Sequence, residues 1–220
     1  MSEANPPLVK RDPEGTRRRI LAAATEQFTS HGLAGARVDA IARAADTNER
    51  MLYYYYGSKE GLYVAVLEGM YSDYASREAE LDLTDLTPTD AITLLAQTIW
   101  TYVRDNPGWV CLINNENLHQ GRYVKGSSKF KQTISPVVEM LRATLARGVA
   151  TSEFKRHVDA LNFYVTLVGM SFYVVSSRFT LEEFLGRNFM EQSAQDSISN
   201  MQLSMLLAYL RTPSDPLDPS

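Results

Sequence analysis

Apolar residues recur at helical spacing along almost the whole chain, and this pattern limits the fold more than any other feature of the sequence. In the first predicted helix, over residues 16–30, Ile20, Ala24 and Phe28 fall on one face, and Gly32 follows as a helix stop. No stretch alternates polar and apolar residues in the way that a half-buried strand requires. The sequence therefore predicts an all-α protein.

Capping residues and helix breakers divide the rest of the chain into further predicted helices. A short helix over 38–45 is followed by a tight turn. Asn48 is a good N-cap for the next helix, which we expect to end at about Tyr56 because Gly57 follows it. The other predicted helices cover 59–74, 89–106, 109–119, 135–150, 157–178 and 191–210, with loops at 81–88 and 121–128.

The composition restricts the cellular location of the chain. No apolar run approaches the roughly 20 residues that span a bilayer, and the polar segment 1–10 lacks the features of a secretory signal. Cys111 is the one cysteine, so an intrachain disulfide is impossible, which suits a reducing compartment. We therefore expect a cytoplasmic protein without a membrane partner.

The segment 37–59 has the layout of a helix-turn-helix, because two short predicted helices are joined by a turn too tight for an antiparallel hairpin. In this motif the second helix enters the major groove of double-stranded DNA. Leu52 is expected to pack inward, and Arg50, on the opposite side, is able to pair with both O6 and N7 of guanine. Plain core packing of an aromatic helix pair is the competing interpretation. The candidate DNA-contacting residues are Arg17, Arg37, Thr47, Asn48, Glu49, Arg50, Tyr53, Tyr54 and Lys59.

An ordered set of residues runs through the same region, ending in a string of aromatic residues followed by Ser-Lys-Glu. The set is Arg18, Leu21, Ala23, Ala24, Phe28 and Gly32, then Ile41, Ala42 and Ala45, then Leu52, Tyr53, Tyr54, Tyr55, Tyr56, Ser58, Lys59, Glu60 and Leu62. With these residues the segment 16–68 resembles the TetR family of transcriptional repressors, and the aromatic string with Ser-Lys-Glu is the most specific part of the resemblance.

The resemblance implies an N-terminal three-helix DNA-binding domain and a C-terminal helical domain for ligand binding and dimerisation. It also implies a homodimer that binds a near-palindromic operator and is released from it by a small-molecule effector. The resemblance covers about the first third of the chain, and the remainder agrees with family members in length and in helical content. We expect a regulator of transcription, in the first place a repressor, and not an enzyme.

Four positions depart from the family pattern. Asp46 stands where many members have Gly, and Asp tolerates the left-handed conformation better than most residues. Arg37 stands where a small hydroxyl residue often holds a phosphate, and Tyr54 and Tyr56 replace the commoner His and Phe. These differences concern the operator that is read rather than the fold.

Charge and composition set the predicted domain limits. The net charge is −4 and does not by itself indicate a nucleic-acid binder, although Lys10, Arg11 and 17–19 form a basic cluster. The end of the chain is rich in Pro, Asp and Ser. We predict a flexible basic arm over 1–15, a helix-turn-helix domain over 16–60, a ligand-binding and dimerisation domain over 61–211, and a disordered tail over 212–220.

The last two long predicted helices are apolar nearly all round, which is typical of helices buried on more than one side. The family resemblance implies that these two helices pair with their symmetry mates as a four-helix bundle. The predicted dimerisation residues are Val168, Phe172, Val175, Met201, Met205 and Tyr209.

The family resemblance also implies an effector pocket in the C-terminal domain. The candidate wall mixes aromatic and polar side chains, as ligand sites do, and weak likeness to regulators of catabolism favours an aromatic or heterocyclic acid. For each residue, core packing or solvent exposure is the alternative. The candidate ligand-binding residues are Trp100, Arg104, Trp109, Cys111, Asn115, His119, Phe163, Tyr164, Met170 and Tyr173.

Two other classes of function stay open. Glu116 and His119 have the Glu-x-x-His spacing of metal ligands in helical bundles, so a metal-binding bundle or enzyme is one alternative, although a di-metal site needs two such pairs. A protein-interaction adaptor that keeps the helix-turn-helix as scaffold is the other. No catalytic arrangement, metal site or cofactor motif declares itself, so none is predicted.

Overall fold

The computed structural model describes residues 12–125, 127, 130 and 135–213. Within them the regular secondary structure is entirely helical, which confirms the predicted all-α class. Residues 1–11 of the predicted arm and 214–220 of the predicted tail lie outside the described residues. The helices of the described part are α1 (Pro13–Gly35), α2 (Val38–Ala44), α3 (Glu49–Tyr56), α4 (Lys59–Ala79), α5 (Pro88–Asp105), α6 (Pro107–Leu118), α7 (Ser135–Ala150), α8 (Ala160–Ser176), α9 (Arg178–Leu185) and α10 (Gln192–Arg211).

Polar caps explain where several helices begin. Asp12 caps α1, because its Oδ1 accepts a hydrogen bond from the backbone N–H of Gly15 at 2.8 Å, so α1 starts three residues before the prediction. Thr87 caps α5 in the same way through the N–H of Asp90 at 3.1 Å. Gly32, with φ of +65°, interrupts α1 at the position where the sequence predicts a stop.

The prediction of one helix over 157–178 was wrong in extent. Asp159 caps α8 through the backbone N–H of Asn162 at 2.8 Å, so the helix begins later than predicted. The chain then bends by 67° into α9, a short helix that the sequence analysis did not predict. The apolar residues of α9 include Phe179 and Phe184, which are exposed, so they form no face directed into the core of this chain.

Contacts within the chain divide it into two compact units, one up to Leu67 and one from Glu68 onward. In the first unit, α1 packs on α2 and α2 packs on α3. The ring of Phe28 meets the edge of Tyr63 from the start of α4, with centroids 5.2 Å apart. The first turns of α4 therefore belong to this core, whereas the predicted domain boundary fell at 60/61. The most completely buried apolar residues of the unit are Ile20, Ala24, Phe28, Ile41, Ala45, Leu62, Tyr63, Val66 and Leu67.

The second unit is organised around α5, which contacts α6, α7, α8 and α10. Its buried face repeats at helical spacing and includes Ile92, Leu95, Ile99 and Val103, all of which are 0% exposed. This central helix fixes the positions of the aromatic side chains from α4, α6 and α8.

No single helix in the described part of the chain is long and apolar enough to cross a membrane. The pair α8 and α9 meets the length and composition criteria only when taken together across its 67° bend.

Candidate DNA-binding interface and effector region

The turn between α2 and α3 is fixed by local hydrogen bonds. Asp46 adopts φ of +49°, in the left-handed region that Asp tolerates better than most residues. The backbone N–H of Thr47 donates to the carbonyl of Ala42 at 3.0 Å. From α1, Nε of Arg19 donates to the carbonyl of Ala45 at 3.2 Å. These bonds set the direction in which α3 leaves α2, and the sequence analysis did not foresee the part played by Arg19.

One side of α3 is buried and the other is exposed, as its sequence predicts. Leu52 is 3% exposed and packs into the core of the first unit. Tyr54 is 77% exposed and Tyr53 is 47% exposed, and Glu49 and Arg50 are also exposed. The candidate base- and phosphate-contacting side chains therefore share the open side of a helix that Leu52 anchors.

A second anchor holds the end of α3 against α1. The hydroxyl of Tyr56 donates to the carbonyl of Arg17 at 3.0 Å, and the guanidinium of Arg17 lies 5.9 Å from the centre of the Tyr56 ring. Burial raises the pKa of Tyr56, so its hydroxyl keeps the proton that it donates at neutral pH. The candidate contact Arg17 is exposed and lies beside α3.

Two other candidate cations are already engaged in the first unit. Arg37 contacts both carboxylate oxygens of Asp39, at 3.0 and 3.2 Å, and this bond lowers the pKa of Asp39. Arg43 reaches the same carboxylate at 3.1 Å. Nζ of Lys59 lies 3.5 Å from the carbonyl of Ala34, at the limit of a hydrogen bond. Arg37 is 75% exposed, so its guanidinium lies at the surface while it contacts Asp39.

A surface cleft of about 620 Å³ separates the start of α1 from the exposed side of α3. Its polar wall on the α3 side includes Asn48 and Arg50, which are both predicted DNA contacts. The lining residues are Asp12, Pro13, Thr16, Asn48, Arg50, Met51, Tyr54 and Tyr55.

Asn48 combines a structural role with a predicted contact role, and substitution separates the two. Its Oδ1 accepts from the backbone N–H of Met51 at 3.2 Å. We expect Asn48→Ala to lower the free energy of unfolding by about 1 kcal/mol, because the cap is lost. We expect Asn48→Asp to keep the cap but to weaken DNA binding, since it adds a negative charge on the exposed side. Urea unfolding and fluorescence anisotropy with labelled DNA measure the two effects; equal affinity of Asn48→Asp and wild type would remove Asn48 from the interface.

A buried carboxyl group lies in the interior of the second unit. Glu78, on α4, is 1% exposed, and its Oε1 accepts from the hydroxyl of Tyr164 at 2.9 Å. The hydroxyl of Tyr74 lies 3.2 Å from that of Tyr164. Burial raises the pKa of Glu78 to about 7, although the two tyrosine hydroxyls oppose this by lowering it. The sequence analysis missed Glu78 and Tyr74, and their i, i+4 spacing was the available signal.

The ten predicted ligand-binding residues do not surround one cavity. Trp109, Phe163 and Tyr164 belong to the buried core, and Trp100 and Met170 line a separate groove. The others lie nearer the surface: Arg104 pairs with Asp105 at 2.6 Å, Asn115 is half-buried, and Cys111, His119 and Tyr173 are exposed.

The two faces of α6 explain this correction. Trp109, Leu112 and Glu116 form its buried face, so Asn115 and His119 point elsewhere. The ring nitrogen Nδ1 of His119 lies 2.8 Å from the carbonyl of Asn115. The sequence pattern alone did not distinguish which face would meet the other helices.

The same geometry bears on the metal-site alternative. Glu116 is 6% exposed and accepts two backbone hydrogen bonds through Oε1, whereas His119 is exposed. Across the described ranges, no group of three or more His, Cys, Asp or Glu side chains is arranged to hold a metal ion. The structure thus gives the pairing of Glu116 with His119 no support.

A groove with a volume of about 270 Å³ lies between α5, α8 and α10. Its wall mixes polar and apolar side chains, and Gln202 closes one side by donating to the carbonyl of Met170 at 3.0 Å. The lining residues are Ala96, Gln97, Trp100, Thr101, Leu167, Met170, Ser171, Ser199, Asn200, Gln202, Leu203 and Leu206.

Apolar side chains lie exposed along α8 and α10. On α10, the predicted dimerisation residues Met201, Met205 and Tyr209 are 53%, 55% and 48% exposed. On α8, the prediction was wrong for Val175, which is 1% exposed and part of the core. Val168 and Phe172 are half-buried against the core. Among the exposed residues of α8, Leu161, Val165, Gly169 and Tyr173 recur at every fourth position and so form one stripe.

Comparison with known families identifies the class of protein. A model described as "Bacterial regulatory proteins, tetR family" matches residues 20–66, which hold α2, α3 and most of α1. A model described as "Tetracyclin repressor-like, C-terminal domain" matches residues 88–206, more than half of the chain. The chain therefore belongs to the TetR family of bacterial transcriptional regulators, as its sequence motifs predict.

Individual relatives support the same assignment. The chain is 33% identical over 180 residues to the HTH-type transcriptional repressor NicS of Pseudomonas putida, covering 82% of this chain and 85% of NicS. It is 47% identical over 68 residues to the HTH-type transcriptional repressor SCO4008 of Streptomyces coelicolor, covering 31% of this chain and 35% of that protein. The fold matches Salmonella enterica GusR with a TM-score of 0.66 at 20% identity, covering 92% of this chain and 98% of GusR.

Proposed function

We propose that this TetR-family regulator is a homodimeric repressor that binds a near-palindromic operator through α3 and is released by a small-molecule effector. The exposed side of α3 carries the proposal. Arg50, Tyr53 and Tyr54 project from a helix fixed by Leu52 and Tyr56, so their positions are set before DNA arrives. NicS and SCO4008 are both transcriptional repressors, which supports repression rather than activation for this protein.

The contact roles of the predicted residues follow from their chemistry. Arg50 and Glu49 lie at the N-terminal end of α3, the end that reads base edges in helix-turn-helix proteins. The hydroxyls of Tyr53 and Tyr54 donate to phosphates and fix the register. Thr47, Lys59 and Arg37 lie at the ends of the motif and add contacts to the DNA backbone.

For the effector to release the dimer from DNA, the ligand must bind more tightly when the two α3 helices of the dimer have one spacing than when they have another. The helix α4 is suited to this coupling because it runs without a break from Lys59 to Ala79. Its first turns belong to the first compact unit, which ends at Leu67, and its later turns belong to the second. Its later turns are tied to the interior of the second unit by Glu78 and by the carbonyl of Met70, which accepts from the Tyr102 hydroxyl at 3.3 Å. A ligand that moves these groups moves α4.

The proposed dimer uses the exposed apolar stripes of α8 and α10. A two-fold axis along these helices buries the same patch on both protomers and removes its apolar area from water. Polar substitution within the stripe therefore prevents association without disturbing the core of one chain.

We expect Met205→Glu to convert the dimer into a monomer, because two carboxylates would be buried at the symmetric contact. Operator affinity should fall at least 100-fold, since each protomer then binds one half-site alone. Light scattering and anisotropy measure the two effects. Leu118→Glu is the control, as Leu118 is 83% exposed at the end of α6, outside the stripe. A dimeric Met205→Glu protein would contradict the proposed interface.

A further inference from the structure

The buried face of α6 carries two polar atoms without a hydrogen-bond partner in the described protein. They are Nε1 of Trp109 and Oε2 of Glu116. Trp109 is 4% exposed and Glu116 is 6% exposed. The two residues are seven apart, so they share one face of the helix about 10 Å apart along its axis. Buried polar groups are almost always paired in native proteins, and an unpaired donor together with an unpaired carboxylate oxygen calls for a partner.

Glu116 is held in a fixed orientation. Its Oε1 accepts hydrogen bonds from the backbone N–H groups of Tyr123 at 2.7 Å and Val124 at 3.1 Å. These bonds occupy one oxygen and turn the other inward. Oε2 has no hydrogen-bond partner, and none of the salt bridges found among the described residues involves Glu116.

Aromatic rings pack against one another beside these two side chains. The ring of Trp109 lies 5.1 Å from that of Tyr74, 6.0 Å from Phe172 and 6.1 Å from Tyr71, centroid to centroid. Burial, followed by the charge of Glu116, raises the pKa of Tyr71, so Tyr71 lies near both Trp109 and Glu116. Phe130 meets the Tyr71 ring at 4.8 Å, and both residues are only half-buried. The cluster therefore extends to the partly exposed side chains of Tyr71 and Phe130.

We propose that the effector of the regulator binds in this cluster and is a planar nitrogen-containing molecule that presents N–H donors, as an amidinium, ammonium or protonated ring nitrogen does. An N–H of the ligand donates to Oε2 of Glu116, and a lone pair elsewhere in the ligand accepts from Nε1 of Trp109. The rings of Tyr71, Tyr74 and Trp109 supply stacking and cation–π attraction. This inference rests on the proposed effector-released repressor and names the ligand class of its site.

The inference replaces the sequence-based expectation of an aromatic acid. A ligand carboxylate would lie beside the buried carboxyl group of Glu116 with no cation between them, which costs free energy. Asn115 and His119, which the sequence offered as partners of an acid, do not lie on the buried face of α6. A charge-assisted donor to Glu116 is favourable in the same place.

Three isosteric probes separate these alternatives. Benzamidine presents two N–H groups and a positive charge, benzamide presents one donor group and one acceptor, and benzoate presents two oxygens and a negative charge. The chain has two tryptophans, so Trp100→Phe leaves Trp109 as the one fluorescent reporter of the cluster. Trp109→Phe leaves Trp100, which reports on the groove between α5, α8 and α10.

In the Trp100→Phe protein we expect benzamidine to quench fluorescence at lower concentration than benzamide, and benzoate to have the weakest effect. Glu116→Gln, added to that protein, should weaken benzamidine binding at least tenfold, because the carboxylate that accepts from the ligand is lost. Benzoate should then bind no more weakly than benzamidine, because the amide of Gln turns an N–H donor toward the ligand. Gln keeps the oxygen that accepts from Tyr123 and Val124, and thermal unfolding checks the fold. Glu182→Gln, an exposed position on α9, is the matched control and should leave all three curves unchanged.

Several results would overturn the inference. They are tighter binding of benzoate than of benzamidine, quenching of Trp100 but not of Trp109, no quenching by either N–H-bearing probe, or unchanged binding by Glu116→Gln. Operator binding of the same preparations is measured separately by anisotropy. Failure to bind any operator contradicts the proposed function even if the probes bind Trp109, whereas intact operator binding with no probe effect contradicts the ligand inference alone.

Discussion

Arg50→Ala is expected to weaken operator binding by about 1–3 kcal/mol per half-site, and by about twice that in a homodimer, where the substitution occurs in both reading helices. The loss is large because Arg50 lies exposed near the N-terminus of α3, within the cleft that also contains Asn48 and Tyr54. A bidentate contact to guanine has no substitute in alanine. Anisotropy with labelled operator and with unrelated DNA measures the effect.

The salt dependence of binding shows what Arg50 contacts. If it pairs with a base, Arg50→Ala lowers the preference for the operator over unrelated DNA. If it pairs with a phosphate, affinity falls uniformly and the salt slope decreases by about one per contact. Arg77→Ala removes the same charge from an exposed site in the second unit and should change neither quantity. DNA binding that is unchanged in both Arg50→Ala and Tyr53→Ala would favour the adaptor alternative.

Glu78→Gln is expected to stabilise the protein by up to about 3 kcal/mol at pH 8, because the buried side chain no longer has to ionise. The folded-state pKa of Glu78, about 7, lies above its ordinary value of 4.5. The folded state therefore holds a proton that the unfolded state has lost between these values. Wild-type stability falls as pH rises through this window and levels off above pH 7.

Urea unfolding between pH 5 and pH 8 tests this expectation. The advantage of Glu78→Gln should be small at pH 5 and should grow toward pH 8, while the amide oxygen still accepts from Tyr164. Glu80 carries an exposed carboxyl group just after the end of the same helix, so Glu80→Gln should follow the wild-type curve. A constant difference between Glu78→Gln and wild type at every pH would show that Glu78 does not titrate in this range.

Sequence patterns predicted the helix-turn-helix in detail because its structure is determined by residues that are close in sequence. The cap at Asn48, the turn at Asp46 and the inward position of Leu52 each depend on residues within one or two helical turns. The family signature over the same segment then fixed the arrangement of α1, α2 and α3. The DNA contacts of the exposed residues stay predictions.

The effector region was less predictable because its geometry depends on helices that are far apart in sequence. Helical spacing showed that α6 has two faces, but it did not show that Glu116 is buried, where the backbone of Tyr123 and Val124 binds its Oε1, while His119 is exposed. Hydrophobic periodicity assigns a charged residue such as Glu78 to the surface. Its carboxyl group is instead buried, where it accepts a hydrogen bond from Tyr164, which is 86 positions away in the sequence. Val175 was assigned to a dimer surface because an apolar face does not reveal whether the same chain or a second copy covers it.

Selection of binding sites from random double-stranded DNA, followed by sequencing, tests the central claim most directly. We expect enrichment of a near-palindromic sequence with half-sites one DNA turn or somewhat more apart, bound by two protomers. Arg50→Ala, selected in parallel, should lose the preference at matched positions in both half-sites. Enrichment of no sequence, or of an asymmetric site bound by one protomer, would contradict a dimeric repressor that reads DNA through α3.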